Sequence, residues 1–143
     1  MKMIKLILAS TFMLIATMTL ALLASPVAAN DLVELEIIIE PNAINPQANG
    51  VIPMLLVGDT DFDVTDIDVT TLQFGPAGAA PVHRAGGHYE DVDGDGLLDI
   101  VSHFATQETG IARGDVSACV IGETFDGRVF EGCDAISTRP PNP

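Results

Sequence analysis

The residues of this chain best suited to chemistry form one run, Asp91-Val92-Asp93-Gly94-Asp95-Gly96-Leu97-Leu98-Asp99, with carboxylates at alternate positions about a glycine bend. A hard divalent cation needs this arrangement. Calcium takes six to eight oxygens at roughly 2.3–2.6 Å, and a loop that supplies them uses side chains at positions 1, 3, 5 and 9, a backbone carbonyl at 7 and glycine at 6. Those places fall on Asp91, Asp93, Asp95, the carbonyl of Leu97 and Asp99, with Gly96 at the bend. Position 12, where a bidentate carboxylate closes many such loops, is Ser102. The last ligand is therefore left to Glu90, to Asp115 or to water, and the expected dissociation constant is roughly 0.1–1 mM. The competing account is a surface turn whose aspartates cap their own backbone amides. Four aspartates at alternate positions exceed what such a turn requires.

Other constellations are weaker. Asp59, Asp61, Asp63, Asp66 and Asp68 alternate with Phe62, Val64, Ile67 and Val69. They read as a solvated turn or a single helical turn with inward apolar residues, or alternatively as a second cation site that lacks the glycine spacing. His83, His88 and His103 offer imidazoles for a transition metal, but only the first two are close in sequence and no cysteine joins them. No Gly-x-Ser-x-Gly, His-Glu-x-x-His or phosphate-binding glycine loop is present, so no catalytic residue is assigned and the expectation is a non-enzyme. Glycosidase chemistry needs two carboxylates at a defined separation, which abundance alone does not provide.

The elements that must hold these residues read as short strands. Val33, Leu35, Ile37 and Ile39 alternate with Glu34, Glu36 and Ile38, which predicts a strand over Leu32 to Ile39. Val51 to Val57 follows a turn-rich connector, and Pro53 within it argues for an edge or a bulge. Thr71 to Phe74, Ile100 to Ala105, Val116 to Thr124 and Val129 to Thr138 complete the set, with a loose segment at Ala77 to Gly87. Six or so strands with turn signals and no segment of helical periodicity predict a small antiparallel, immunoglobulin-like β-sandwich carrying the acidic loop as an insertion.

The only two cysteines belong to the last two strands. If Phe125-Asp126-Gly127 is a three-residue hairpin loop with Gly127 left-handed, facing residue numbers sum to 252, as those of Cys119 and Cys133 do. Directly opposed residues come within disulfide range. The alternative is a pair of free, buried thiols.

The setting follows from the leader. Met1-Lys2-Met3-Ile4-Lys5 is a short basic start, the stretch from Ile4 to Ala24 is almost entirely apolar, and Ser25-Pro26-Val27-Ala28-Ala29 places small residues before a cut at Asn30. This is the pattern of a signal peptide over residues 1–29, an uncleaved membrane anchor being the alternative. Export supplies the oxidising surroundings a disulfide needs. One domain over 30–138 and a proline-rich tail over 139–143 account for the rest. Every acidic residue, 20 in all, lies beyond the leader, with four arginines to set against them. The resulting charge of −16 turns away nucleic acid and anionic membranes. With no Trp in the chain and one Tyr, Tyr89, sugar stacking has little to work with.

The acidic run resembles the calcium loops of EF-hand proteins, dockerins, thrombospondin type 3 repeats and integrin-like propeller repeats. The flanks differ from the EF-hand, because Ala85-Gly86-Gly87-His88 is a poor helix and Asp99 to Phe104 reads as a strand, so the loop is carried over without the helix pair. Across the whole chain, Glu36 to Pro41, Gly50 to Pro53, Phe74-Gly75-Pro76, Asp91 to Asp99 and Gly122 to Gly127 resemble an uncharacterised module of bacterial exported proteins. The expectation is a secreted or periplasmic calcium-binding module with a structural or interaction role. The alternative is a calcium-dependent module that binds a carbohydrate or a cell-surface partner.

Overall fold

The computed structural model describes residues 32–139, and the expected leader and residues 140–143 of the tail lie outside them. Two four-stranded sheets and one short strand pair make up the fold. In chain order the strands are β1 (Val33–Glu34), β2 (Ile37–Ile39), β3 (Ala43–Ile44), β4 (Val51–Leu56), β5 (Ile67–Phe74), β6 (His88–Glu90), β7 (Asp99–Ala105), β8 (Ser117–Thr124), β9 (Val129–Ala135) and β10 (Ser137–Thr138). One sheet runs β1-β9-β8-β5, the other β2-β4-β7-β6, and β10 pairs with β3. Apart from β1, β3 and β10, the distribution of strands between the sheets is that of an immunoglobulin-like sandwich. The expected antiparallel sandwich is present, with two short parallel pairs added to it, β1 on β9 and β10 on β3.

Period-two alternation builds the core. Ile52, Met54 and Leu56 of β4 and Ile100, Ser102 and Phe104 of β7 point inward, against Leu72 and Phe74 of β5, Val120 of β8 and Phe130 of β9. The rings of Phe74 and Phe104 bridge the two sheets with centroids 4.9 Å apart. Fully burying a large apolar side chain contributes about 1.5–3 kcal/mol, and among the described residues the interior has eleven to draw on.

Three sequence expectations are corrected. The stretch Leu32 to Ile39 keeps its alternation but is two strands: Val33–Glu34 pairs with β9, and after Leu35 the chain crosses to pair Ile37–Ile39 with β4. Gly132 permits the crossing, because a Cβ there would lie 2.6 Å from Ile37 and 2.7 Å from the Leu35 carbonyl. Pro53 sits in an interior strand, opposite His103 of β7, and no bulge is needed. Pairing between β2 and β4 stops at Ile39 and Met54, so Pro53 meets no ladder on that side and its missing N–H costs nothing. Finally, β5 starts four residues earlier than expected, because a register shift between Asp68 and Gln73 breaks the alternation that would have marked it.

The C-terminal hairpin follows the expected register. Pairs run from Ser117 with Ala135 to Glu123 with Val129, and Gly127 is left-handed at φ 85°. Cys119 and Cys133 face each other with Cα atoms 4.0 Å apart and are disulfide-bonded.

The strand directions gather three connectors at one end of the sandwich: residues 57–66 between β4 and β5, 91–98 between β6 and β7, and 125–128 between β8 and β9. The Phe125 N–H donates to the Asp66 carbonyl at 2.9 Å, which ties the first of these to the third.

Candidate metal centre

The loop between β6 and β7 is shaped by its own aspartates. Asp91 accepts from the Gly94 N–H at 2.7 Å through one oxygen and from the Gly96 N–H at 3.0 Å through the other. Asp93 accepts from Asp95 N–H, and Asp95 from Leu97 N–H. Gly94 and Gly96 have φ of 81° and 92°, left-handed values that an ordinary residue adopts only under strain. Each aspartate thus caps a turn, as the competing account required, yet the caps leave further carboxylate lone pairs unused.

Carboxylate oxygens of Asp91, Asp93 and Asp99 lie within 4.8 Å of one another. Two oxygens on opposite sides of a cation at about 2.4 Å stand roughly 4.8 Å apart, so one ion can touch all three. Asp95 lies outside this trio. Asp91 and Asp93 are exposed, whereas Asp99 is fully buried at the start of β7. Its burial is compensated by two backbone donors, the Gly58 N–H at 2.9 Å and the Val92 N–H at 2.8 Å. Gly58 belongs to the neighbouring connector and reaches Asp99 because it has no side chain: a Cβ would lie 2.1 Å from the Leu98 carbonyl.

Of the remaining expected ligands, Asp115 is at the other end of the molecule. It precedes β8, whose far end carries the 125–128 loop, and an eight-residue strand spans about 23 Å at roughly 3.3 Å per residue. Its carboxylate accepts from the Ala112 N–H instead. Ser102 is buried and donates its hydroxyl to the Gly86 carbonyl at 2.6 Å, so it faces the core. Glu90 pairs with Asp99 across β6 and β7 and is exposed beside the loop.

No family model, curated protein or solved structure matches this chain. Its chemistry has to be read from its own side chains.

The second acidic cluster is folded as a turn. Asp59 accepts from the N–H groups of Asp61 and Phe62, and Asp63 caps the single 3-10 turn Val64–Asp66. Phe62, Val64 and Ile67 point inward. Its hydrogen bond from Thr65 holds the Asp63 carboxyl below the usual carboxylate range, and a hydrogen bond from Thr124 does the same for Asp126, helped by Arg128. Among the described residues, Asp59, Asp61, Asp63, Asp66, Asp91, Asp93, Asp95, Asp99 and Asp126 therefore crowd one pole around a single cation, Arg128, which lies over the Phe62 ring at 5.7 Å. Residues 58–66 and Gly96 to Leu98 enclose a shallow cleft of about 530 Å³ between them. On the adjacent β6, burial and, secondarily, the charge of Asp63 push the Tyr89 phenol above its ordinary value.

One feature escaped the sequence and another was under-weighted in it. The Asp99–Gly58 clamp joins residues 41 apart, and the one hint of it is the small residue that ends the apolar run of β4. The three histidines also converge, with the His83 ring 5.9 Å from His88 and 5.8 Å from His103 between centroids. The pairing of β6 with β7 brings His88 and His103 together, the Val82 N–H to the His103 carbonyl adds His83, and sequence distance concealed both.

Proposed function

We propose that this chain is an exported structural or interaction module, without catalysis of its own, whose β6–β7 loop binds one calcium ion. The observation that carries the reading is the gathering of Asp91, Asp93 and Asp99 around one point, with Asp99 buried and tied to the neighbouring connector. A cation there neutralises carboxylates that otherwise repel each other, and its binding energy is transmitted through Asp99 to the packing of both connectors. Calcium is favoured over magnesium because the candidate ligands are all oxygens and the loop is largely exposed. Magnesium demands a tighter octahedron and keeps its waters.

Leu97 would add its carbonyl and Asp95 a water-mediated or direct oxygen. The Cys119–Cys133 disulfide suits an oxidising compartment, secreted or periplasmic, and among the described residues no helix is long and apolar enough to cross a membrane. Export with removal of residues 1–29 completes the reading.

Isothermal titration with calcium tests it. The expected dissociation constant is roughly 0.1–1 mM, weakened at least tenfold by Asp93→Ala. An affinity unchanged by that substitution removes the loop as the site.

A further inference from the structure

A second cluster of ligating side chains lies away from the acidic loop, on the outer face of the β2-β4-β7-β6 sheet. His88 of β6 is opposite Val101 of β7, and His103 is two residues further along β7, so both imidazoles rise from the same face in diagonal positions. His83 stands between them, its ring 5.9 Å from His88 and 5.8 Å from His103, edge-on to the latter. These are all the histidines of the chain.

The segment carrying His83 is fastened to β7 next to His103. The Val82 N–H donates to the His103 carbonyl at 2.9 Å, Ser102 Oγ donates to the Gly86 carbonyl at 2.6 Å, and Pro81 bridges to Phe104. The Gly86 N–H closes the turn by donating to the His83 carbonyl at 2.8 Å. Within this frame Nδ1 of His103 is buried and has no hydrogen-bond partner among the described residues. A buried imidazole nitrogen left without a partner needs explaining, because desolvating it unpaired costs free energy.

We propose that His83, His88 and His103 form a binding site for a divalent transition cation of the zinc, copper or nickel type. Neutral imidazole suits these metals, whereas calcium prefers the oxygens of the other loop. Three imidazoles on a tetrahedral ion, with metal–nitrogen distances of 2.0–2.1 Å, hold their ring centroids roughly 5–5.5 Å apart. Both observed spacings are close to that. The ring nitrogens are not all within 4.8 Å of one another as they stand. Closing the site takes side-chain rotation of His83 and His88, both exposed. The fourth position faces solvent and would take water.

The experiment titrates zinc chloride into the full exported chain, purified without a histidine tag and kept in 5 mM calcium so that the carboxylate loop is not competing. One equivalent of zinc should bind, with affinity at least tenfold weaker in His83→Ala and in His88→Ala and unchanged in Asp93→Ala. Both histidines are exposed, so their removal leaves the fold intact, which circular dichroism verifies. Cobalt(II) should give the visible absorption of a nitrogen-ligated ion in the parent chain and lose it in His103→Gln. No zinc binding up to 1 mM overturns the site, as does binding that survives His83→Ala undiminished or that disappears with Asp93→Ala. Calcium binding is measured separately, so failure here and failure of the calcium reading are distinguishable.

Discussion

Asp99 clamps two connectors, and that role can be separated by substitution from the ligand role proposed for it. Its two carboxylate oxygens accept from Gly58 and Val92 in a buried site, so Asp99→Ala leaves two backbone donors without partners whether or not metal is present. Hydrogen bonds to a charged acceptor contribute about 1.5–3 kcal/mol each, and chemical denaturation in chelator should show a loss of about 3 kcal/mol. Asp93 is exposed and caps only its own loop, so Asp93→Ala in chelator should cost under about 1 kcal/mol while removing the response to calcium. Equal losses from the two substitutions would contradict the clamp. Acid titration adds a third check. Asp63 and Asp126 have pKa values lowered by hydrogen bonds, so their contribution is present above the unfolded value near 3.9 and is lost as pH falls through the lower folded values. Carboxyl NMR should show both titrating below an ordinary aspartate, and Thr65→Ala should return Asp63 toward it. The local spacing of Asp91 to Asp99 was legible as a loop because ligand positions along a short run are a one-dimensional pattern. The partner of Asp99 was not, since Gly58 reaches it only after two connectors have met in space.

At the scale of elements, the hairpin of β8 and β9 was readable because a three-residue loop ending in a left-handed glycine fixes every pair beyond it. Its disulfide closes a loop of 14 residues, and replacing both cysteines by alanine should cost about 3 kcal/mol in thermal unfolding. A smaller loss than that of a single surface substitution would leave the bridge ornamental. Alternation carried the faces of β2, β4 and β7 but not their partners, because a period of two says which side is buried and nothing of which neighbour lies alongside. That is why the stretch from Leu32 to Ile39 read as one strand: its inward residues stay inward while its pairing changes sheets at Leu35. Gly132 is the residue that allows the change, and Gly132→Ala should destabilise by about 2–3 kcal/mol, since backbone as well as a side chain would have to move. The bulge in β5 and the two-residue strand β3 leave too short a pattern to detect, and the strand expected over Val129 to Thr138 is divided at Ile136 into β9 and β10.

In the whole molecule, charge is distributed unevenly. Nine aspartates share the pole built by residues 57–66, 91–98 and 125–128 and the start of β7, while Arg113 and Arg139 lie toward the opposite end, where Gly114 and Thr138 are hydrogen-bonded. Repulsion at that pole is relieved by screening, so in chelator the unfolding midpoint should rise by a few degrees between about 20 and 500 mM sodium chloride. A specific ion should do more at far lower concentration. The most direct test of the account is therefore thermal unfolding of the oxidised protein in excess chelator, in magnesium and in calcium at about ten times its dissociation constant. Binding to the folded state alone adds about 1.4 kcal/mol, which moves the midpoint of a domain this size by about 5 °C. The account predicts that rise with calcium, little with magnesium and none in Asp93→Ala. A midpoint unmoved by calcium would contradict it and leave the loop an acidic turn on an immunoglobulin-like sandwich.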